Sequence, residues 1–186
     1  RMRIKLKDNI LKREHSLLKP TDFDTCPIYM IENPSRDYYF PVTIEEINNA
    51  LNQLPREDIS HITHIWLRKN NSKASCQGYT TVGSGVYAII LYPFPKNNKI
   101  FIGKQKPSHK QLTWYKGYAS ELIKEKDSWY IKFSKESAKK YYLERLLMHE
   151  VGHCANASLM FNKAATYKSE NKANNYAFNH KLVKAI

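Results

Sequence analysis

The chain has 186 residues, a length that can bury a substantial core within one domain. It has three Cys residues with no C-x-x-C spacing, so neither a disulfide framework nor a cysteine zinc site is expected. No run approaches the ~18 apolar residues of a membrane span, and the basic start of the chain has no apolar stretch behind it. The composition predicts a soluble protein, cytoplasmic in the first instance, with a secreted effector or toxin domain as the alternative.

The formal net charge of +13 is unevenly distributed. No acidic residue lies between Asp58 and Glu121, so one sector of the fold is predicted to be positive. Such a sector can attract nucleic acid, an anionic membrane surface or an acidic polypeptide substrate, or it can simply keep the chain dissolved. Its cationic residues are Arg68, Lys69, Lys73, Lys96, Lys99, Lys104, Lys106, Lys110 and Lys116.

Residues 1–42 are predicted to form an N-terminal arm, followed by one compact domain over residues 43–186. The arm is punctuated by Pro20, Pro27, Pro34 and Pro41, which break regular structure. Cys26 could reach a zinc ion and block it, but a lone Cys is usually just packed.

A helix is predicted from Thr43 to Pro55. Thr43 and Glu46 form a capping box, and apolar residues recur at helical spacing as far as Leu54.

Strands are predicted through the middle of the chain, with a long loop over residues 70–85. His61 and His64 would point to opposite faces of one strand, so they are a poor ligand pair. The continuous apolar run Val86–Tyr92 suits a central strand buried on both faces. Ser128–Phe133 alternates, and we expect it near the sheet edge, where a peptide can add as a further strand. The other predicted strands are Ile59–Leu67, Ile100–Ile102 and Leu112–Tyr118.

The functional prediction depends on the string H-E-V-G-H at residues 149–153. Ser134 or Ser137 can cap a helix that carries it, and on a helix residues four apart direct their side chains at one spot. His149 and His153 can therefore share a zinc ion, while Glu150, turned by about 100°, can reach a water there instead. The flanking residues are uncharged, as expected around a buried metal site rather than in a chance match: Leu146, Leu147, Val151, Gly152, Cys154 and Ala155.

Glu170 is the predicted third ligand. Ser169 is predicted to cap a last helix through about Lys184, with Glu170 in its first turn. Ala173 and Ala177 would let this helix approach the metal helix closely, and the intervening loop lets the chain reverse. The alternative is a glutamate favoured at a helix start by the macrodipole alone.

The string H-E-V-G-H at 149–153, together with E-N-K-A-N-N-Y-A at 170–177, resembles the motifs of the gluzincin metallopeptidases. The resemblance is in particular to the ImmA/IrrE type, whose second motif has the form E-x-x-A-N-x-[FY]-A. The two motifs cover only about residues 135–184. The resemblance implies an α+β, zincin-like fold, in which a twisted mixed sheet packs on the H-E-x-x-H helix and a following helix carries the Glu ligand. It also implies hydrolysis of polypeptides, often regulatory proteins. The segment 156–168 is short for that family, and other single-domain gluzincins carry the same two motifs.

The predicted function is a zinc-dependent endopeptidase. Three ligands, His149, His153 and Glu170, leave the fourth position for water, as in catalytic rather than structural zinc sites. Glu150 is the predicted general base.

Two questions stay open in the sequence. Tyr167, Tyr176 and His180 are candidates for a donor to the oxyanion, with an ordinary surface position as the alternative for each. The alternative function is a zinc-containing regulatory module that binds nucleic acid or protein without peptidase activity. Intact Glu150 argues against that alternative, since a structural zinc needs no base.

Overall fold

The computed structural model describes residues 17–69, 77–157 and 166–180. Helices and strands are mixed along the chain and the strands form separate sheets, in agreement with the predicted α+β class. No helix in this described part is long and apolar enough to cross a bilayer.

The strands, in chain order, are β1 (Ile28–Ile31), β2 (Tyr38–Tyr39), β3 (His64–Leu67), β4 (Gly78–Gly83), β5 (Val86–Leu91), β6 (Phe94–Pro95), β7 (Lys99–Gly103), β8 (Glu121–Glu125) and β9 (Ser128–Lys132). The helices are α1 (Ile44–Leu51), α2 (Arg56–Ile59), α3 (His109–Tyr115), α4 (Lys135–Tyr141), α5 (Met148–Ala155) and α6 (Thr166–Asn179), and Tyr142–Leu147 between α4 and α5 is π-helical.

The main sheet has four strands in the order β1-β3-β5-β4. β1, β3 and β5 are parallel, while β4 runs antiparallel to β5 and forms one edge. β5 confirms the predicted central strand, because it is paired on both sides and Ile89, Ile90 and Leu91 are fully buried. The predicted strand Ile59–Leu67 is shorter than expected, since only His64–Leu67 is extended and Arg56–Ile59 is helical.

Part of the predicted N-terminal arm contributes to this sheet. Ile28–Ile31 form β1, whose residues pair in parallel with His64–Leu67. Residues 1–16 of the arm lie outside the described residues.

The loop predicted over residues 70–85 is wrong for Gly78–Gly83, which form β4. A Cβ on Gly78 would lie 3.0 Å from the carbonyl oxygen of Ile90, so the absence of a side chain allows the two strands to approach. The strand is stabilised by pairing with β5. Its glycine and polar residues predict a loop, so the strand cannot be recognised from the local composition. Residues 70–76 are not described.

The strand predicted over Leu112–Tyr118 is wrong, because α3 occupies most of this segment. Ser108 caps the helix: the Gln111 amide donates to its Oγ (3.3 Å), and its own amide donates to Gln111 Oε1 (2.8 Å). This capping box is the sequence signal that the strand prediction missed.

A second sheet has the order β7-β9-β8, all antiparallel. The strand predicted at Ser128–Phe133 is confirmed as β9, but its predicted edge position is wrong, since β9 lies between β7 and β8. The edge strand near the metal motif is β4, which contacts α5.

The helical rod Lys135–Ala155 carries the metal motif. Ser134 caps it as predicted, with the Ser137 amide donating to Ser134 Oγ (3.1 Å). The π-helical turn lies in its middle, where the buried Tyr142 hydroxyl donates to the carbonyl oxygen of Tyr92. Regular α-helix resumes at Met148, so the H-E-x-x-H residues keep the i, i+4 geometry that brings their imidazoles together.

The helix predicted to start at Thr43 is also present, as α1. Thr43 and Glu46 form the predicted capping box at the start of α1, and Ile47, Ala50 and Leu51 are buried. α1 thus contributes an apolar face to the core on which the rod packs.

Candidate metal centre

Three side chains converge between α5 and α6. His149 Nε2 and His153 Nε2 are 3.2 Å apart. The two carboxylate oxygens of Glu170 lie 3.5 Å from His149 Nε2 and 3.3 Å from His153 Nε2. The three residues predicted as ligands are therefore adjacent, and they are the group identified among the described residues as able to hold a metal ion.

These separations fit a tetrahedral zinc ion. Zinc–ligand bonds of about 2.0–2.1 Å place two ligand atoms of a tetrahedron about 3.3–3.4 Å apart. Neutral imidazoles can present Nε2 as acceptors, and three acceptors that face one point suit a cation. The side chain of Glu170 is 52% exposed, so the centre is accessible from this side.

The pKa values respond to the same proximity. The hydrogen bonds with His149 and His153 lower the pKa of Glu170. Burial by itself would lower the pKa of His149, but the hydrogen bond and charge of Glu170 and the charge of Glu150 outweigh it and raise that pKa. A cation at this point would replace the protons that these groups share.

Ser169 holds the ring of His153. Its Oγ lies 3.0 Å from His153 Nδ1, and both residues are buried. If Nδ1 carries the proton, Nε2 is left as the acceptor that a metal requires. The predicted role of Ser169 as a helix cap is wrong, because α6 begins at Thr166 and Ser169 lies within its first turn. Sequence reasoning found this residue and misassigned its partner.

The ring of His149 is held by an aromatic side chain. Its Nδ1 is buried and has no hydrogen-bond partner among the described residues. Trp114 of α3 packs edge-on against the ring, with centroids 5.4 Å apart, and donates from its indole nitrogen to the Tyr141 hydroxyl (3.0 Å). The sequence does not indicate Trp114, because the segment reads as a strand and not as the helix that brings it to the site.

Glu150 lies beside the three converging side chains and is buried. Thr80 on β4 donates to Glu150 Oε2 (2.8 Å) and to the Glu150 carbonyl oxygen (3.1 Å). Burial raises the pKa of Glu150, while the charges of His149 and His153 and the Thr80 hydrogen bond act in the opposite direction. The carboxylate is therefore fixed in place and favours accepting a proton more than an exposed glutamate does.

The Thr80 hydrogen bond holds the Glu150 carboxylate, and removing the hydroxyl tests whether a general base at Glu150 depends on it. In Thr80→Val the shape is kept but the hydroxyl is lost, so we expect zinc content to stay unchanged and the turnover number to fall at least about tenfold, because small misplacements of a reacting group are costly. Thr80→Ser keeps the hydroxyl and should restore turnover. Equal loss in both variants would mean that packing at β4 matters and the hydroxyl does not.

Gly152 sets the distance between the two helices of the centre. A Cβ at this position would lie 2.8 Å from Ala173 Cα and 2.8 Å from Tyr176 Cβ. Ala173 lies at this contact, as predicted, and both Ala173 and Ala177 are buried.

Gly152→Ala should therefore destabilise the fold even though alanine is the better helix former by about 1 kcal/mol. The clash is with backbone atoms, so α6 must move, at a net cost of about 1–3 kcal/mol, and Glu170 moves with it. Chemical denaturation and zinc titration would show lower stability and weaker binding. An increase in stability, as helix propensity alone predicts, would contradict this packing.

The remaining candidates lie elsewhere. Tyr176 donates its hydroxyl to Asp58 Oδ2 (2.7 Å) and stacks on His180, whereas Tyr167 is 71% exposed. His61 hydrogen bonds to the Cys154 carbonyl oxygen (2.8 Å) at the end of α5. The residues that are not part of the converging group also include the buried His64 and the exposed Cys26.

The predicted basic sector is partly neutralised. Arg68 is buried and donates to the Tyr79 hydroxyl (3.0 Å), and Lys99 forms an ion pair with Glu125. Lys104, Lys106 and Lys110 are exposed around the start of α3. Lys73 lies outside the described residues.

Comparison with models of protein families, with curated proteins and with solved structures found no match to this chain. The function of the centre is therefore inferred from its own residues and geometry.

Proposed function

We propose that this protein is a zinc-dependent endopeptidase. The observation that carries the proposal is the convergence of His149, His153 and Glu170 at tetrahedral spacing, with a buried Glu150 beside them. A structural zinc site needs no such base, and four protein ligands would fill it.

The chain's own residues divide the work in a simple way. His149, His153 and Glu170 would hold the ion; when bound, zinc lowers the pKa of water and polarises a carbonyl group. Glu150 accepts a proton from the attacking water and passes it to the leaving amine, with Thr80 holding the carboxylate in position. Ser169 and Trp114 keep the two imidazoles oriented.

The fold we propose for this function is zincin-like. Three features support it: the metal helix packs under a mixed sheet, the edge strand β4 contacts that helix, and the next helix supplies Glu170. Among the described residues β4 is the last strand of its sheet, and an extended polypeptide could pair with its outer edge and pass over the metal centre. The motif resemblance to the ImmA/IrrE type is consistent with this arrangement, and within it the substrate is a polypeptide.

Metal analysis tests the proposal directly. We expect one zinc ion per chain, with two nitrogen ligands and carboxylate oxygen in its first shell, since the described part of the chain places no sulfur in the group. X-ray absorption spectroscopy of the purified protein distinguishes nitrogen and oxygen from sulfur by bond length. Sulfur in the first shell would exclude the assignment.

The exposed lysines around α3 favour the second candidate, a zinc-containing module that binds nucleic acid or an acidic protein. Proteomic identification of new N-termini in cells that express wild type or a Glu150 variant separates the two functions. An endopeptidase yields cleavage products that depend on Glu150, and a binding module yields none.

A further inference from the structure

Arg145 is a partly buried cation in the rod that carries the metal motif, one helical turn before His149. Its guanidinium carbon lies 3.9 Å from the ring centroid of Phe178 and 5.4 Å from that of Tyr118. Nη1 donates to the Ala177 carbonyl oxygen (2.8 Å), and no carboxylate forms an ion pair with Arg145 among the described residues. Cations held this far from solvent usually have an anionic partner.

The hydrogen-bonding capacity of the guanidinium is not used up, because Nη1 donates to the Ala177 carbonyl oxygen while the buried Nε has no hydrogen-bond partner among the described residues. Rings that stack on the face of a guanidinium fix its plane and leave its edge free for hydrogen bonds. A guanidinium held in this way loses little freedom when a carboxylate binds to it in the plane.

A cavity of about 340 Å³ adjoins Arg145, within the range of about 300–1,000 Å³ of ligand sites. Its lining has a surplus of positive charge, because it contains three cationic side chains and one carboxylate. That carboxylate, Glu144, already accepts a hydrogen bond from Tyr118 (2.9 Å). The lining of this Arg145 cavity includes Lys116, Tyr118, Lys140, Glu144, Arg145 and Phe178.

Trp114 packs against residues of both the metal centre and the Arg145 cavity. The same ring lies 5.4 Å from the ring of His149 and 5.8 Å from that of Phe178. Arg145 precedes His149 by four residues, about one helical turn. An extended peptide advances about 3.3 Å per residue, so a side chain two or three residues from a carbonyl group at the metal centre could reach the cavity.

We propose that the Arg145 cavity binds a carboxylate of the polypeptide substrate, two or three residues from the scissile bond. This specificity rests on the proposed peptidase function and adds to it the class of substrate, an acidic one. The carboxylate comes either from an acidic side chain or from the C-terminus of the substrate.

Decapeptide libraries whose random positions exclude Asp and Glu test the site. Three libraries are offered to the zinc-bound wild-type protein, and they differ only in their carboxylates. The first has a fixed Glu and an amidated C-terminus, the second a fixed Gln and an amidated C-terminus, and the third a fixed Gln and a free C-terminus. We expect cleavage of the fixed-Glu library, or of the free C-terminus library, to exceed that of the fully neutral library at least about tenfold, since hydrogen bonds to charged groups are strong. Equal cleavage of all three overturns the subsite, whereas absence of cleavage in all three overturns the peptidase function.

Binding to zinc-loaded Glu150→Gln, measured by fluorescence anisotropy with the same labelled libraries, tests the cavity without catalysis. Lys116→Gln/Lys140→Gln changes two exposed side chains of the cavity and should reduce the preference for carboxylate. The matched control, Lys126→Gln/Lys135→Gln, changes two exposed lysines outside the cavity lining and should keep it. An equal loss in both double variants would mean that overall charge alone attracts the peptide, and would overturn the site.

Arg145→Lys, which keeps the charge and loses the planar fork, should weaken the preference with the zinc content unchanged.

Discussion

Glu150→Gln should reduce peptide hydrolysis by at least the ~10²-fold typical of a positioned base, while zinc content and melting temperature stay close to those of the wild type. The substitution nearly preserves size and polarity, and Glu150 is not one of the three converging ligands. The amide can still accept the Thr80 hydrogen bond through its oxygen, so the local structure should persist. Only the capacity to accept a proton is lost. The measurement is the turnover number for a genuine substrate, with zinc determined on the same sample.

Glu136→Gln is the matched control for this variant. Glu136 lies in α4 on the same helical rod, is exposed and does not belong to the metal centre. Its substitution should leave turnover unchanged. If Glu150→Gln binds zinc and keeps both proteolysis and the biological effect, the peptidase function is wrong and the binding module is favoured.

The convergence of His149 and His153 could be predicted because its information is local. Two histidines four residues apart on one helix face the same point wherever the helix is placed in the fold. Glu170 needed more, since its position depends on a chain reversal that no pattern specifies. The small residues Gly152, Ala173 and Ala177 indicate that the two helices approach closely, and that contact brings Glu170 to the histidines.

The residues that support the centre could not be predicted, because they come from elements whose local signals are weak or contradictory. Thr80 lies in a stretch rich in glycine and polar residues, and it is extended only because β5 offers it a partner. Trp114 lies in a segment whose aromatic residues suggest a strand, although Ser108 and Gln111 cap a helix there. Both residues reach the centre through contacts that are distant in sequence.

Ser169 shows a different limit of sequence reasoning. A serine beside Glu170 at the expected start of a helix reads as a cap, and the same hydroxyl in the structure faces His153 instead. A cap at Ser169 would start the helix at Glu170, but α6 begins four residues earlier, at Thr166, so the hydroxyl lies inside the helix, where it faces His153.

The second large effect is expected from Glu170→Ala, which removes one of the three converging side chains. Zinc affinity should fall by more than the about 10–100-fold that is typical of losing an outer partner of a ligand. The fold should survive, because Glu170 is half exposed and Gly152 contacts α6 through Ala173 and Tyr176 instead. Competition with a chromophoric chelator measures the affinity, and circular dichroism reports on the fold.

Glu170→Gln and Asn171→Ala sharpen this test. The amide oxygen of glutamine is a neutral and poorer ligand, so Glu170→Gln should bind zinc more weakly than wild type and more tightly than Glu170→Ala. Asn171 is exposed in the same turn of α6 and is outside the converging group, so its substitution should leave affinity unchanged. The order wild type, Glu170→Gln, Glu170→Ala is specific to a carboxylate that binds the metal. If Glu170 only interacted with the helix macrodipole, replacing it would change stability slightly and would leave zinc affinity unchanged. Equal zinc affinity in all these variants would therefore require a different third ligand.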